Sequence, residues 1–148
     1  LADDVVALFL QRLLNFGTLT VKEVMRPRSQ ISAIKTEISF QELMNYISKT
    51  GFARIPVYRK SIDNIVGILY PKDLLPFIEE KTYPWQNLIR PGFFVSESKK
   101  ISSLLKDFQE KHVHMAIALS DSRSTVGLIT LEDIVQEIIG DTKEIEIS

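Results

Sequence analysis

The chain carries one pattern twice, and that repeat constrains the fold more than any other feature of the sequence. Val21–Pro27 (VKEVMRP) and Trp85–Pro91 (WQNLIRP) each read apolar, polar pair, two apolar residues, Arg, Pro. Phe40–Ile47 and Ile101–Phe108 each place apolar residues at the first, fourth, fifth and eighth positions, which is one face of an amphipathic helix. Ala53–Tyr58 (ARIPVY) and His114–Leu119 (HMAIAL) read as strands. Ile65–Leu75 (IVGILYPKDLL) and Thr125–Val135 (TVGLITLEDIV) each read as a short strand leading into a helix. The copies lie 60 to 64 residues apart, and the small drift in spacing fits indels in loops.

Each half therefore reads strand, helix, strand, strand, helix. A unit of about 60 residues buries only about 60% of its unfolded surface. Two copies stacked sheet on sheet share one interior, so 148 residues make a single module of two small units. The charged, proline-ended stretch Glu79–Pro84 marks the boundary between them. The expected division is a connecting helix over 1–18, a first domain over 19–80, a second over 84–140 and a tail over 141–148.

Composition narrows the function classes. Lys and Arg total 18 and Asp and Glu total 19, a net charge of -1, so no broad field favours nucleic acid or anionic membrane. The chain has no cysteine, which excludes disulfides, iron–sulfur clusters and thiolate zinc sites. Its longest apolar run, Val5–Leu10, is too short to span a bilayer and follows two acids, so it is not a secretory signal. A first residue of Leu1 instead of Met predicts a fragment or a processed product.

Asp3 and Asp4 suit a helix start, Val6, Leu10, Leu13 and Leu14 follow at helical spacing, and Gly17 offers a stop. This helix over 3–16 has more apolar residues than one narrow face needs. It is expected to pack on its own domain, a partner or a missing neighbour.

The two halves resemble cystathionine-beta-synthase-type (CBS) domains over residues 19–140. The second half holds the strand-to-helix run Gly127-Leu128-Ile129-Thr130-Leu131-Glu132-Asp133 in full. The first half has Gly67-Ile68-Leu69-Tyr70-Pro71-Lys72-Asp73, with Tyr70 where Thr or Ser is expected. Within the family the chain is most similar to the CBS pairs of CorC/HlyC-type proteins, the haemolysin-like and magnesium/cobalt-efflux relatives. The segments that carry this closer likeness are VKEVMRPR (21–28), ARIPVY (53–58), NIVGILYPKDLL (64–75), VHMAIAL (113–119) and TVGLITLEDIVQEIIGD (125–141). The resemblance implies an α+β fold: two β-α-β-β-α repeats packed sheet to sheet with pseudo-two-fold symmetry, plus the N-terminal helix.

Two readings of the strand-to-helix run stand side by side. A Thr hydroxyl at a strand end donates to phosphate, as do the free amides of the helix start. The carboxylate three residues later accepts from the cis hydroxyls of a ribose. The same spacing also makes a capping box, with Thr130 as N-cap and Asp133 as its N3 acid. The family likeness favours the ribose role for Asp133.

The resemblance further implies an adenine nucleotide (AMP, ADP or ATP) in a cleft between the sheets, with Mg²⁺ acting through its phosphates. By position, Thr130 and Asp133 are completed by Arg26, Ile31, Phe52, Arg54 and Pro56. Ile31 and Phe52 supply apolar surface or backbone groups to adenine. Arg26 or Arg54 neutralises phosphate, since guanidinium matches phosphate oxygens. Family members often carry Thr at the position of Arg26. Ile31, Phe52 and Pro56 also read as plain core or turn residues, and the arginines as solvated charges. A mirror site would use Tyr70 and Asp73 with Val95, Val113 and Met115. Tyr70 is bulky where a small hydroxyl is wanted, so it either blocks that site or stacks on a base, and the site is expected to be weaker or empty.

His112 and His114 share a face if they lie on a strand, but two ligands without Cys or a matching carboxylate set do not make a metal site, and none is expected. The sequence has no Walker A, GxGxxG, GxSxG or HExxH motif, and no enzyme is expected. The leading function is a regulatory nucleotide-binding module that controls an attached membrane or transport domain. It would be the cytoplasmic part of a larger membrane-associated protein and a homodimer joined through the second helices, Asp73–Ile78 and Glu132–Ile139. It would contact no nucleic acid and insert no segment into the membrane. The alternative is a non-catalytic dimerisation or interaction module that has lost nucleotide binding.

Overall fold

The structure, a computed structural model, describes residues 2–140; the tail expected at 141–148 lies outside the described residues. In chain order the elements are α1 (Ala2–Phe16), α2 (Val21–Val24), β1 (Arg26–Pro27), β2 (Ile34–Lys35), α3 (Phe40–Thr50), β3 (Ile55–Arg59), β4 (Ser61–Leu69), β5 (Phe94–Ser96), α4 (Ile101–Lys111), β6 (Met115–Leu119), β7 (Thr125–Thr130) and α5 (Leu131–Ile139). Short 3₁₀ helices occupy Arg28–Gln30, Pro71–Phe77 and Trp85–Leu88. Both copies thus show the expected strand, helix, strand, strand, helix order.

Local chemistry sets the ends of these elements. Ser39 opens α3 with a full capping box to Glu42, and Thr130 opens α5 with one to Asp133. The second helix of the first copy, expected as an ordinary helix over Asp73–Ile78, is instead a 3₁₀ helix over Pro71–Phe77. Pro76 is the reason. It offers no N–H, and its ring clashes with the carbonyl four residues back, so an α-helical turn does not form there.

The chain divides into two compact units, and their limits differ from those of the sequence copies. One unit joins residues up to Gln30 with those from Phe93 onward; the other is Ile31–Gly92. Each copy's leading segment folds with the body of the other copy. In the first unit Val21 is fully buried in a core with Ile101, Leu104, Phe108, Ile129 and Ile134. Backbone bonds from Val21 to Lys99 (2.8 Å), Lys22 to Glu97 (2.9 Å) and Ile101 to Leu19 (3.0 Å) tie the segment down. In the second unit Trp85, the repeat counterpart of Val21, is buried with Ile34, Phe40, Leu43, Ile55, Val57 and Leu69. Its indole N–H donates to the Ile38 carbonyl at 2.9 Å.

The first unit's sheet runs β1-β7-β6-β5, with β5 parallel to β6 and the other pairs antiparallel. The second unit's sheet runs β2-β3-β4, with β2 parallel to β3 and β3 antiparallel to β4. An isolated antiparallel bridge from Ile68 to Arg90 continues it and corresponds to the β1–β7 pair, in which Arg26 faces Leu128. The helix expected over 3–16 is α1, and it packs on α5 of its own unit.

Candidate functional site

The β7–α5 junction brings three of the expected site residues together. Thr130 ends β7 and is 4% exposed. Its Oγ1 accepts from the Asp133 backbone N–H at 3.1 Å, and Asp133 Oδ2 accepts from the Thr130 N–H at 3.0 Å. The capping reading of this pair is therefore realised. It does not exhaust the chemistry, because a hydroxyl that accepts still carries a hydrogen to donate.

The other oxygen of Asp133 is also engaged. Arg26, on β1, donates to Oδ1 through Nη2 at 3.0 Å and Nε at 3.3 Å. The side chains are 51% and 20% exposed, so the pair sits at the surface with its acid half sheltered. Arg26, expected at a phosphate, is thus paired here with Asp133, the residue expected at a ribose. Its neighbour Arg28 donates from Nη1 to the Thr125 carbonyl at 2.7 Å.

Close backbone approach fixes where Arg26 can be. Gly127 lies against Met25 and the Arg26 carbonyl, and a Cβ there would meet both. Gly67 stands in the same relation to Ile89 and the Arg90 carbonyl. The two glycines of the repeated strand-to-helix run are therefore the places where the leading segments come closest to the strands they pair with.

The second unit holds a counterpart of the Arg26–Asp133 pair. Arg90 Nε donates to Asp73 Oδ2 and Nη2 to Oδ1, both at 2.8 Å. This fork is the better of the two geometries. It holds the Asp73 carboxyl below its ordinary range and raises Arg90 above its own. For Asp73 the Arg90 hydrogen bonds are the largest cause, partly opposed by burial. The Arg90 guanidinium also lies over the Tyr70 ring, 4.2 Å from its centroid, with Lys72 at 5.8 Å. Arg90 was not among the residues singled out from the sequence. The signal was present, since the aligned WQNLIRP and VKEVMRP segments put Arg90 opposite Arg26.

The remaining candidates are distributed as follows. In the first unit, Met115 begins β6 and pairs with Thr130, Val95 on β5 is buried in the core, and Val113 is partly buried against that core. In the second unit, Pro56 is buried on β3, Ile31 and Arg54 are partly exposed, and Phe52 is 45% exposed. His112 ends α4 in the left-handed conformation (φ 53°) and β6 begins only at Met115, so the two histidines do not share a strand face. Among the described residues no cluster of His, Asp and Glu could hold a metal, and no helix is long and apolar enough to cross a membrane.

Comparison with known proteins supplies the context. A family profile described as the CBS domain matches residues 21–80 and 85–140. The chain is 35% identical over 146 residues to "Magnesium and cobalt efflux protein CorC" of Pasteurella multocida, covering 97% of this chain and 49% of that protein. It is 35% identical over 125 residues to "Hemolysin C" of Brachyspira hyodysenteriae, covering 84% of this chain and 46% of that protein. The chain thus spans about half the length of these curated relatives. A solved CBS domain of the bacterial CNNM/CorC family Mg²⁺ transporter in complex with ATP is 36% identical, with a TM-score of 0.84, over 90% of this chain and 96% of that one. A CBS-domain pair with bound AMP from Klebsiella pneumoniae is 25% identical, with a TM-score of 0.73, over 82% of this chain and 99% of that one.

Proposed function

The chain belongs to the CBS-domain family, as a pair of the CorC type, and from that premise we propose that it is a regulatory adenine-nucleotide-binding module without catalytic activity. The observation that carries this reading is the β7–α5 junction. There a threonine with a donor hydroxyl and a carboxylate three residues on are held in one fixed geometry by the helix start. The likeness to a chain solved with ATP supports it.

In this reading Asp133 accepts from the ribose hydroxyls and Thr130 donates to a phosphate. By resemblance alone, adenine and phosphate contacts are assigned to Ile31, Phe52, Arg54 and Pro56, and Mg²⁺ enters as a counter-ion of the phosphates. Tyr70, Asp73, Val95, Val113 and Met115 are likewise assigned by resemblance to a weaker second site.

The module would act on a transport domain in the longer protein, at the cytoplasmic face of a membrane, with the two CBS sequence copies, not the compact units, divided near residues 18, 80 and 84. Nucleotide shifts that domain's equilibrium only through unequal affinity for its two states. The exposed Leu75, Ile78, Val135 and Ile139 on the second helices suit a homodimer contact.

The test is the thermal midpoint with and without millimolar ATP, ADP, AMP and Mg²⁺. A ligand at a hundred times its Kd stabilises the folded state by about 2.7 kcal/mol. The expected result is a rise with nucleotide that Asp133→Ala abolishes; no rise with any nucleotide overturns the reading. A second reading, an interaction module without a nucleotide, is favoured by one observation: Asp73 has both oxygens held by Arg90. The same titration separates the two.

A further inference from the structure

Asp133 is short of acceptor positions. A carboxylate offers about four lone-pair sites, two on each oxygen. Arg26 uses both on Oδ1, and the Thr130 backbone N–H uses one on Oδ2. One site is left, and the cis hydroxyls of a ribose need two. A nucleoside that takes both therefore displaces one existing bond, and the bond that yields without opening the α5 capping box is one from the half-exposed Arg26.

The displaced group has a destination only if the ligand is charged. A guanidinium carries five N–H donors, and Arg26 is 51% exposed on a short surface strand, so its head can turn away from the acid. A neutral nucleoside gives it nothing to turn to. A phosphate on the same ribose gives it a fork of oxygens a few bonds away.

Building on the nucleotide reading above, we propose that Arg26 is the specificity-determining residue of this site. It pairs with Asp133, and it exchanges the carboxylate for a phosphate when a nucleoside phosphate binds. The site then discriminates against unphosphorylated nucleosides by competition at the ribose acid, beyond the attraction of cation for anion. No covalent step is involved.

The experiment compares adenosine, AMP and ATP by titration calorimetry on the whole chain, in the wild type, Arg26→Leu and Arg26→Lys. Urea midpoints confirm that each variant folds, as expected for an exposed side chain. In Arg26→Leu, adenosine binding should tighten by roughly two- to fivefold, the range that freeing an exposed ion pair spans. AMP and ATP should weaken by about tenfold or more, the range for a lost hydrogen bond to a charged group. The preference for AMP over adenosine should fall by more than tenfold, and Arg26→Lys should restore part of it. A purely structural role would shift all three ligands together.

An AMP preference that is unchanged in Arg26→Leu, while the wild type binds AMP, overturns the Arg26 assignment and leaves the nucleotide reading standing. Weaker adenosine binding in Arg26→Leu also overturns it. If neither wild type nor Arg26→Leu binds any of the three, both fall. Binding of adenosine by Arg26→Leu alone supports the competition.

Discussion

Arg90 grips Asp73 through two parallel bonds of 2.8 Å, and Arg26 meets Asp133 in the same place on the other unit. The two pairs join residues that the sequence repeat makes equivalent. Each ties a leading segment to the strand-to-helix turn of the unit on which that segment folds. The pairs differ in quality. Asp73 gives both oxygens to one fork, whereas Asp133 divides its oxygens between Arg26 and its own helix cap.

The Arg90 fork predicts an acid response at Asp73. Asp73 is held below the ordinary carboxylate range, so the unfolded chain takes up this proton at a higher pH than the folded one. The pair's contribution is complete above the unfolded value of about 3.9 and is lost as pH falls through the folded value. Glu37, lowered chiefly by the Thr36 hydroxyl, acts in the same direction. Urea midpoints measured from neutral pH into the acid range should fall less steeply for Asp73→Asn than for the wild type. Equal slopes would remove the Arg90 pair from the acid response.

Thr130 should matter to stability apart from any ligand. Thr130→Ala removes the acceptor for the Asp133 N–H and should cost about 1 kcal/mol. Thr130→Ser keeps that acceptor and should recover most of the loss. Denaturant unfolding of the two variants checks this, and a serine variant as weak as the alanine one would show that the cap is not the cause.

The two close-approach glycines should be intolerant of a methyl group. Gly67→Ala puts a Cβ into Ile89 and the Arg90 carbonyl, and Gly127→Ala puts one into Met25 and the Arg26 carbonyl. Each should destabilise by about 1–3 kcal/mol, the range for overpacking. Arg90→Ala in the Gly67→Ala background should then cost less than in the wild type, because the segment is already displaced. Full additivity in that double-mutant cycle would argue against the displacement.

Trp85 is the single tryptophan and is fully buried in the unit built on the first copy. Trp85→Ala should cost about 3–5 kcal/mol. Trp85→Phe should cost less, losing the indole bond to the Ile38 carbonyl while keeping most of the packing. A chain cut at the sequence boundary, residues 19–80, lacks this side chain and should show no cooperative unfolding by circular dichroism. Residues 31–92 keep it and should unfold cooperatively.

The order of elements in each copy was legible in periodicity alone. Apolar positions at Phe40, Leu43, Met44 and Ile47, and again at Ile101, Leu104, Leu105 and Phe108, mark helix faces that must be buried wherever the helix lies. The start of α5 was legible too, because Thr130 and Asp133 satisfy each other locally. The 3₁₀ form of Pro71–Phe77 was written in Pro76, although the matching pattern of the second copy argued for an α-helix.

What the sequence by itself determined was thus what short-range physics controls: the repeat, the element types, the caps, the glycines of the two strand-to-helix runs and the absence of any thiol chemistry. The tertiary structure alone decided which copy each leading segment serves. Val21 and Trp85 are apolar residues that either interior would accept as a matter of composition. Only the match of a segment to the space beside a sheet edge selects one. That selection carries Arg26 to Asp133, across 107 positions of chain, and pairs the residue expected at a phosphate with the one expected at a ribose.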